Sequence, residues 1–86
     1  MRHDLKTWLP YFDAVLEGRK NFEVRLNDRN YEVGDWVRLL PYDTAKQKIV
    51  RRLGVRHIDR EITYIMQGGQ FGLAPDYVVL AIPDND

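Results

Sequence analysis

Eighty-six residues make one small domain, residues 1–86, that buries only about 60–65% of its unfolded surface and must therefore have a simple fold. An apolar content of 44% and a charged content of 30% are those of an ordinary globular protein, and the absence of cysteine excludes disulfides, thiolate metal sites and a cysteine nucleophile. A formal net charge of zero argues against coating nucleic acid by bulk electrostatics, and no apolar run approaches the ~18 residues of a membrane span.

The start, Met1-Arg2-His3-Asp4-Leu5, lacks the apolar core of a signal peptide, so a cytoplasmic protein without a membrane partner is expected, a monomer by default. His3–Lys6 reads as an opening strand. From Trp8 the apolar residues Trp8, Phe12, Val15 and Leu16 recur at helical spacing, predicting a helix over Trp8–Glu17 with Trp8 in the core. Thr7 can cap it, Pro10 is tolerated in the first turn, and Gly18 can end it in a left-handed conformation.

Asn21–Leu26 follows as a strand whose alternation puts Phe22 and Val24 on one face and Asn21, Glu23 and Arg25 on the other. Asn27–Asn30 is a polar turn. Trp36–Tyr42 is a strand with Trp36 in the core, interrupted by Pro41 at an edge or bulge. A loop over Asp43–Gln47, a strand over Lys48–Leu53, a β-rich strand over Arg60–Met66 and a glycine-rich loop over Gln67–Gly72 come next. Tyr77–Ile82 is uninterruptedly apolar and reads as a central closing strand, with Pro83–Asp86 as a tail. One helix and five or six short strands give a β-dominated α+β domain. Closing them into a small mixed barrel would limit exposed edges.

Two features carry chemistry. Lys20, Glu23 and Arg25 gather two cations and a carboxylate within a few residues of a turn, an arrangement suited to a polar ligand; spacing alone favours reading the Glu and Arg as an exposed ion pair on a surface strand. Between Asp43 and Arg60 stand six basic residues (Lys46, Lys48, Arg51, Arg52, Arg56, Arg60) against two acidic ones, a net of +4, leaving −4 on the rest. That segment fits either a limited phosphate contact or a solvated hairpin. His3 and His57 are too far apart to form a short-range ligand pair, and no metal or cofactor is called for.

The pattern Gly18-x-Lys20-x-x-Glu23-x-Arg25 resembles the signature of ASCH domains, a branch of the PUA-like superfamily. The wider chain resembles a bacterial and phage subgroup of small, uncharacterised ASCH/PUA-like proteins. The match runs from His3-x-Leu5-Lys6 through Phe22-Glu23-Val24-Arg25 and Val33-Gly34-Asp35 to Tyr64-Ile65-x-Gln67-Gly68-Gly69-Gln70-Phe71-Gly72 and Tyr77-Val78-Val79-Leu80. Ala45–His57 departs from it, being longer and more basic. The resemblance implies a PUA-like barrel with a cleft beside the signature, and RNA or nucleotide binding.

On that reading Lys20 donates to phosphate or carbonyl oxygen, Glu23 accepts from a base amine or ribose hydroxyl or orients Lys20, and Arg25 holds phosphate or stacks on a base. Arg19 lies on the rim. His3 and Lys6 are candidates to border the cleft. Gln67, Gln70 and Phe71 offer paired amides and a stacking face, or else form a plain turn in which Phe71 plugs the barrel end. Arg51 and Arg52 would contact phosphate.

A second function implied by the resemblance is an amidohydrolase acting on a nucleoside such as N4-acetylcytidine. The family's threonine falls at Glu23 here, so a lysine-activated hydroxyl is missing, and catalysis would fall to Lys20 and Glu23 or to a displaced Thr63. A third is a protein-interaction adaptor, for which a large exposed apolar patch would be the sign; the linear pattern shows none.

Overall fold

A computed structural model describes residues 1–84; of the expected tail, residues 85 and 86 lie outside the described residues. The elements run β1 (Arg2–Trp8), α1 (Leu9–Leu16), β2 (Phe22–Leu26), β3 (Trp36–Asp43), β4 (Lys48–Ile49), β5 (Ile58–Glu61), β6 (Tyr64–Gln67) and β7 (Tyr77–Ala81). The β-dominated α+β class is as expected. The strands form two sheets, however, and not a closed barrel, and they number seven among the described residues.

In the first sheet β3 is central, parallel to β1 from Arg2↔Trp36 to Trp8↔Tyr42 and antiparallel to β5 and β4 along its other edge. Pro41 causes no bulge in the β1 register. It falls in the interval after β5 pairing ends at Leu39 and before β4 pairing begins at Tyr42, where a missing amide hydrogen costs no ladder bond. The second sheet is β2-β7-β6, antiparallel throughout, with β7 central as its apolar run predicts.

The expected single strand Arg60–Met66 is divided between the two sheets. Its break is Ile62, fully buried, whose amide donates to the Asp35 carbonyl and whose carbonyl accepts from the Gly34 amide. The Thr63 amide already bonds the Ala81 carbonyl in the second sheet. The expected Lys48–Leu53 strand is shortened to two residues, followed by an isolated bridge between Arg52 and Val55.

The core joins Phe12 and Val15 of α1 to Leu5, Val37, Leu39, Ile58, Ile62, Val78, Leu80 and Ile82. The helix starts at Leu9, with Pro10 in its first turn, and ends in a paired-bond glycine cap. Gly18 takes φ +79°, its amide donating to the Val15 carbonyl and the Arg19 amide to the Ala14 carbonyl. Thr7 does not cap it; it is buried in β1. Trp8 and Trp36 are surface residues and not core, because both point outward from their strands.

At the N-terminus of β1, the His3 Nε2 and Asp35 Oδ2 atoms lie 2.8 Å apart in a buried contact, and His3 meets the Tyr31 ring edge-on. Asp35 also accepts from the Glu32 amide and the N-terminal amine. The His3 hydrogen bond holds its carboxyl below the usual carboxylate range. No helix among the described residues is long and apolar enough to cross a membrane.

Candidate functional site

β1 and β2 are edge strands of different sheets and face one another without backbone pairing. Side chains span the gap. The Arg25 Nη2 donates to the Lys6 carbonyl at 3.0 Å and to Thr7 Oγ1 at 3.2 Å, and Arg29 Nη1 donates to the Asp4 carbonyl at 2.9 Å. Alternate carbonyls of one strand point to the same side, so two guanidinium groups take the place of a neighbouring strand. The cleft opens along this seam. It has a volume of about 390 Å³ and is lined by Lys6, Thr7, Trp8, Tyr11, Glu23, Val24, Arg25 and Tyr77. A second hollow of about 450 Å³ shares Tyr11, Glu23 and Val24 and adds Lys20 and Phe22.

Glu23 lies between the two hollows. The alternation expected for β2 holds, but its polar face turns inward: Glu23 is only 5% exposed, whereas Phe22 and Val24 face outward. Glu23 Oε2 lies 3.2 Å from Lys20 Nζ and 3.8 Å from Arg25 Nε. Oε1 is shut away from solvent and has no hydrogen-bond partner among the described residues. Burying a carboxylate oxygen unpaired costs about 1–3 kcal/mol. Lys20 also donates to the Phe22 carbonyl and lies 5.9 Å from the centre of the Tyr11 ring and 4.9 Å from that of Phe22. Arg19 pairs with Glu17 in an exposed contact and lines neither hollow.

Trp8 and Tyr11 stack on one another with centroids 6.2 Å apart and form an aromatic wall of the cleft. Sequence reasoning missed this wall by assigning Trp8 to the core. Trp8 closes β1, whose period of two turns it outward, and α1 begins at the next residue and brings Tyr11 beside it. Thr7 and Tyr77 also went unnoticed as lining residues, while Lys6 lines the cleft. His3 belongs to the Asp35 cluster instead.

The other expected site residues are not brought to the cleft. Gln67 pairs with Val78, which pairs with Arg25, so the Gln67–Gly72 loop leaves the same end of the second sheet two strands away. Gln70 Nε2 donates to the Gln67 carbonyl, and Phe71, 88% exposed, plugs nothing. Arg52 is held by the α1 residue Asp13, with Nη2 to Oδ2 at 2.7 Å and Nε to Oδ1 at 3.0 Å. Those hydrogen bonds lower the Asp13 carboxyl below its usual range. Arg51 is exposed and lines neither hollow. Thr63 lies on the opposite side of the second sheet, in a hollow with Tyr64 and Met66. The one threonine at the cleft, Thr7, donates its hydroxyl to the Leu5 carbonyl.

A family model described as "Domain of unknown function (DUF3850)" matches residues 2–82, nearly the whole chain. Among curated proteins, the chain is similar to the "Uncharacterized 12.9 kDa protein in GpA 3'region" of Escherichia phage P2. The two are 58% identical over 33 residues, 38% of this chain and 30% of that protein.

Proposed function

The chain belongs to this DUF3850 family, and from that premise we propose that the seam between β1 and β2 binds one nucleotide unit, free or within RNA, in an ASCH-like, PUA-like architecture whose barrel is left open at the cleft. The observation that carries the reading is the buried, unpartnered Oε1 of Glu23 beside two cations and an aromatic wall. A base stacks against Trp8 and Tyr11 and offers an N–H to Glu23, an acceptor-only group when ionised. The carboxylate turns Oε1 toward the base about its last torsion, whose energy wells are broad. Lys6 and Lys20, which line the two hollows, donate to phosphate or sugar oxygens, and Arg25 spans the seam by donating to the Lys6 carbonyl.

Hydrolysis of an acylated nucleoside has less support. Among the described residues Lys20 Nζ contacts a carbonyl and a carboxylate and no hydroxyl, and Thr7 is already donating elsewhere.

Titration of labelled single-stranded RNA and of nucleoside monophosphates, read by fluorescence anisotropy and calorimetry at low salt, tests the proposal. Lys20→Ala should weaken binding about 10- to 100-fold, the worth of one charge-assisted hydrogen bond. Absence of binding to both probes at low salt would refute it.

A further inference from the structure

We infer that the outer face of the β2-β7-β6 sheet is a self-association surface that takes a second copy of this chain, packed sheet against sheet. The register sets Phe22, Val24 and Leu26 of β2 beside the outward residues of β7, and Tyr64 and Met66 of β6 on the far side. Every outward position of the three strands is apolar, and among the described residues no helix or strand covers the sheet, although Phe22, Val24 and Tyr77 also line the two hollows. This is the exposed apolar patch that the linear pattern did not reveal.

The area suits a pair of copies. Phe22, Val24, Leu26, Tyr64 and Tyr77 are 38–66% exposed, and aromatic side chains carry ~150–250 Å² each, so the patch offers on the order of 400–500 Å². Two such faces bury about 900 Å² of apolar centre, and a polar rim brings the total to the ~1,200–2,000 Å² of a stable interface. The composition favours a copy over a foreign partner. Non-obligate interfaces are about as apolar as ordinary surface, whereas homodimer interfaces are more apolar and poor in charge at their centre. Two-fold pairing also sets each patch against itself, so any charge near the axis would meet its own kind. No outward position here is charged. The face also has relief: a hollow of about 370 Å³ lies among Phe22, Tyr64 and Met66, and Tyr64, 66% exposed, is a side chain of the size to fill its counterpart. Sheets stacked in this way sit about 10 Å apart.

The test is the solution mass of the full chain by light scattering and sedimentation over a concentration series, for the wild type, Tyr64→Asp and Val24→Lys. Both positions are exposed at the sheet surface, so the domain core is left intact, and far-UV circular dichroism verifies folding. A wild type of twice 10.2 kDa with folded, monomeric variants is the expected result. A wild type that stays monomeric throughout overturns the inference, as do variants that remain dimeric. If both variants fold poorly, a nitroxide on Tyr64→Cys in this cysteine-free chain reads the distance between copies: dipolar coupling supports the inference and its absence overturns it.

Discussion

Replacing Glu23 by methionine should leave the domain as stable as the wild type or more so, while abolishing the nucleotide binding proposed above. Methionine has nearly the same volume and no group to solvate, so the packing beside Leu80, its neighbour in β7, is retained. The substitution removes one unpartnered buried oxygen, a gain of about 1–3 kcal/mol. Against it stands the loss of the contacts from Oε2 to Lys20 and Arg25. Both cations keep other acceptors, Lys20 the Phe22 carbonyl and Arg25 the Lys6 carbonyl and Thr7 hydroxyl, so neither is stranded. The loss is then about 1 kcal/mol, and the net change lies between 0 and about +2 kcal/mol. For a domain of this length, 1 kcal/mol moves Tm by about 4–8 °C. Urea denaturation and thermal melts, run beside the RNA and nucleotide titrations, measure both halves. A destabilisation of 3 kcal/mol or more would refute the reasoning, because that is the cost of breaking a buried pair whose charges have no other partner.

Ile62→Ala, at the point where the chain changes sheets, should cost about 2–5 kcal/mol in urea denaturation, a large part of the stability of so small a domain. Gly68→Ala should destabilise by at least 1–3 kcal/mol in thermal melts, since a Cβ there would lie 2.0 Å from the Ala74 carbonyl oxygen and 2.4 Å from that of Tyr77. Asp13, Asp35 and Asp59 have carboxyl pKa values lowered in the fold, chiefly by hydrogen bonds from Arg52, His3 and Arg38. Their stabilisation is therefore full above the unfolded value near 3.9 and is lost as pH falls through the lower folded values; acid titration followed by circular dichroism should show the loss below about pH 4, with a smaller slope in Asp35→Asn. If Arg51 meets phosphate, Arg51→Ala should reduce the salt slope of RNA binding by ~0.7, whereas Arg52→Ala should appear in the melting curve, because its guanidinium holds α1.

The local signals were legible. Helix spacing and Gly18 fixed α1 to within a residue at each end, and the closing apolar run marked β7 as central. What depends on distant partners was not. Alternation divides β2 into two faces but does not say which meets the core, and here the charged face turned inward because the cleft lies on that side. Trp8 fits the helical stripe, yet it belongs to β1 and follows the period of two, which sends it outward. The run Arg60–Met66 has strand propensity throughout, so nothing local marks Ile62 as the crossing point; the bonds to Gly34 and Asp35 do that. The +4 segment reads as a phosphate contact only until Asp13, 39 residues away in sequence, takes up Arg52. For the same reason the signature was only half readable: Lys20, Glu23 and Arg25 come together, but the aromatic wall beside them is supplied by the junction of β1 and α1.

The seam between β1 and β2 has a mechanical consequence. A barrel sealed by a backbone ladder can widen only by tearing a row of cooperative hydrogen bonds. Here the two sheets are joined across the seam by separate hydrogen bonds from Arg25 and Arg29, side chains on long stems, and by no ladder. On the proposed nucleotide-binding reading, a guest that widens the cleft has only these separate side-chain bonds to displace, and the pairing within each sheet is left intact.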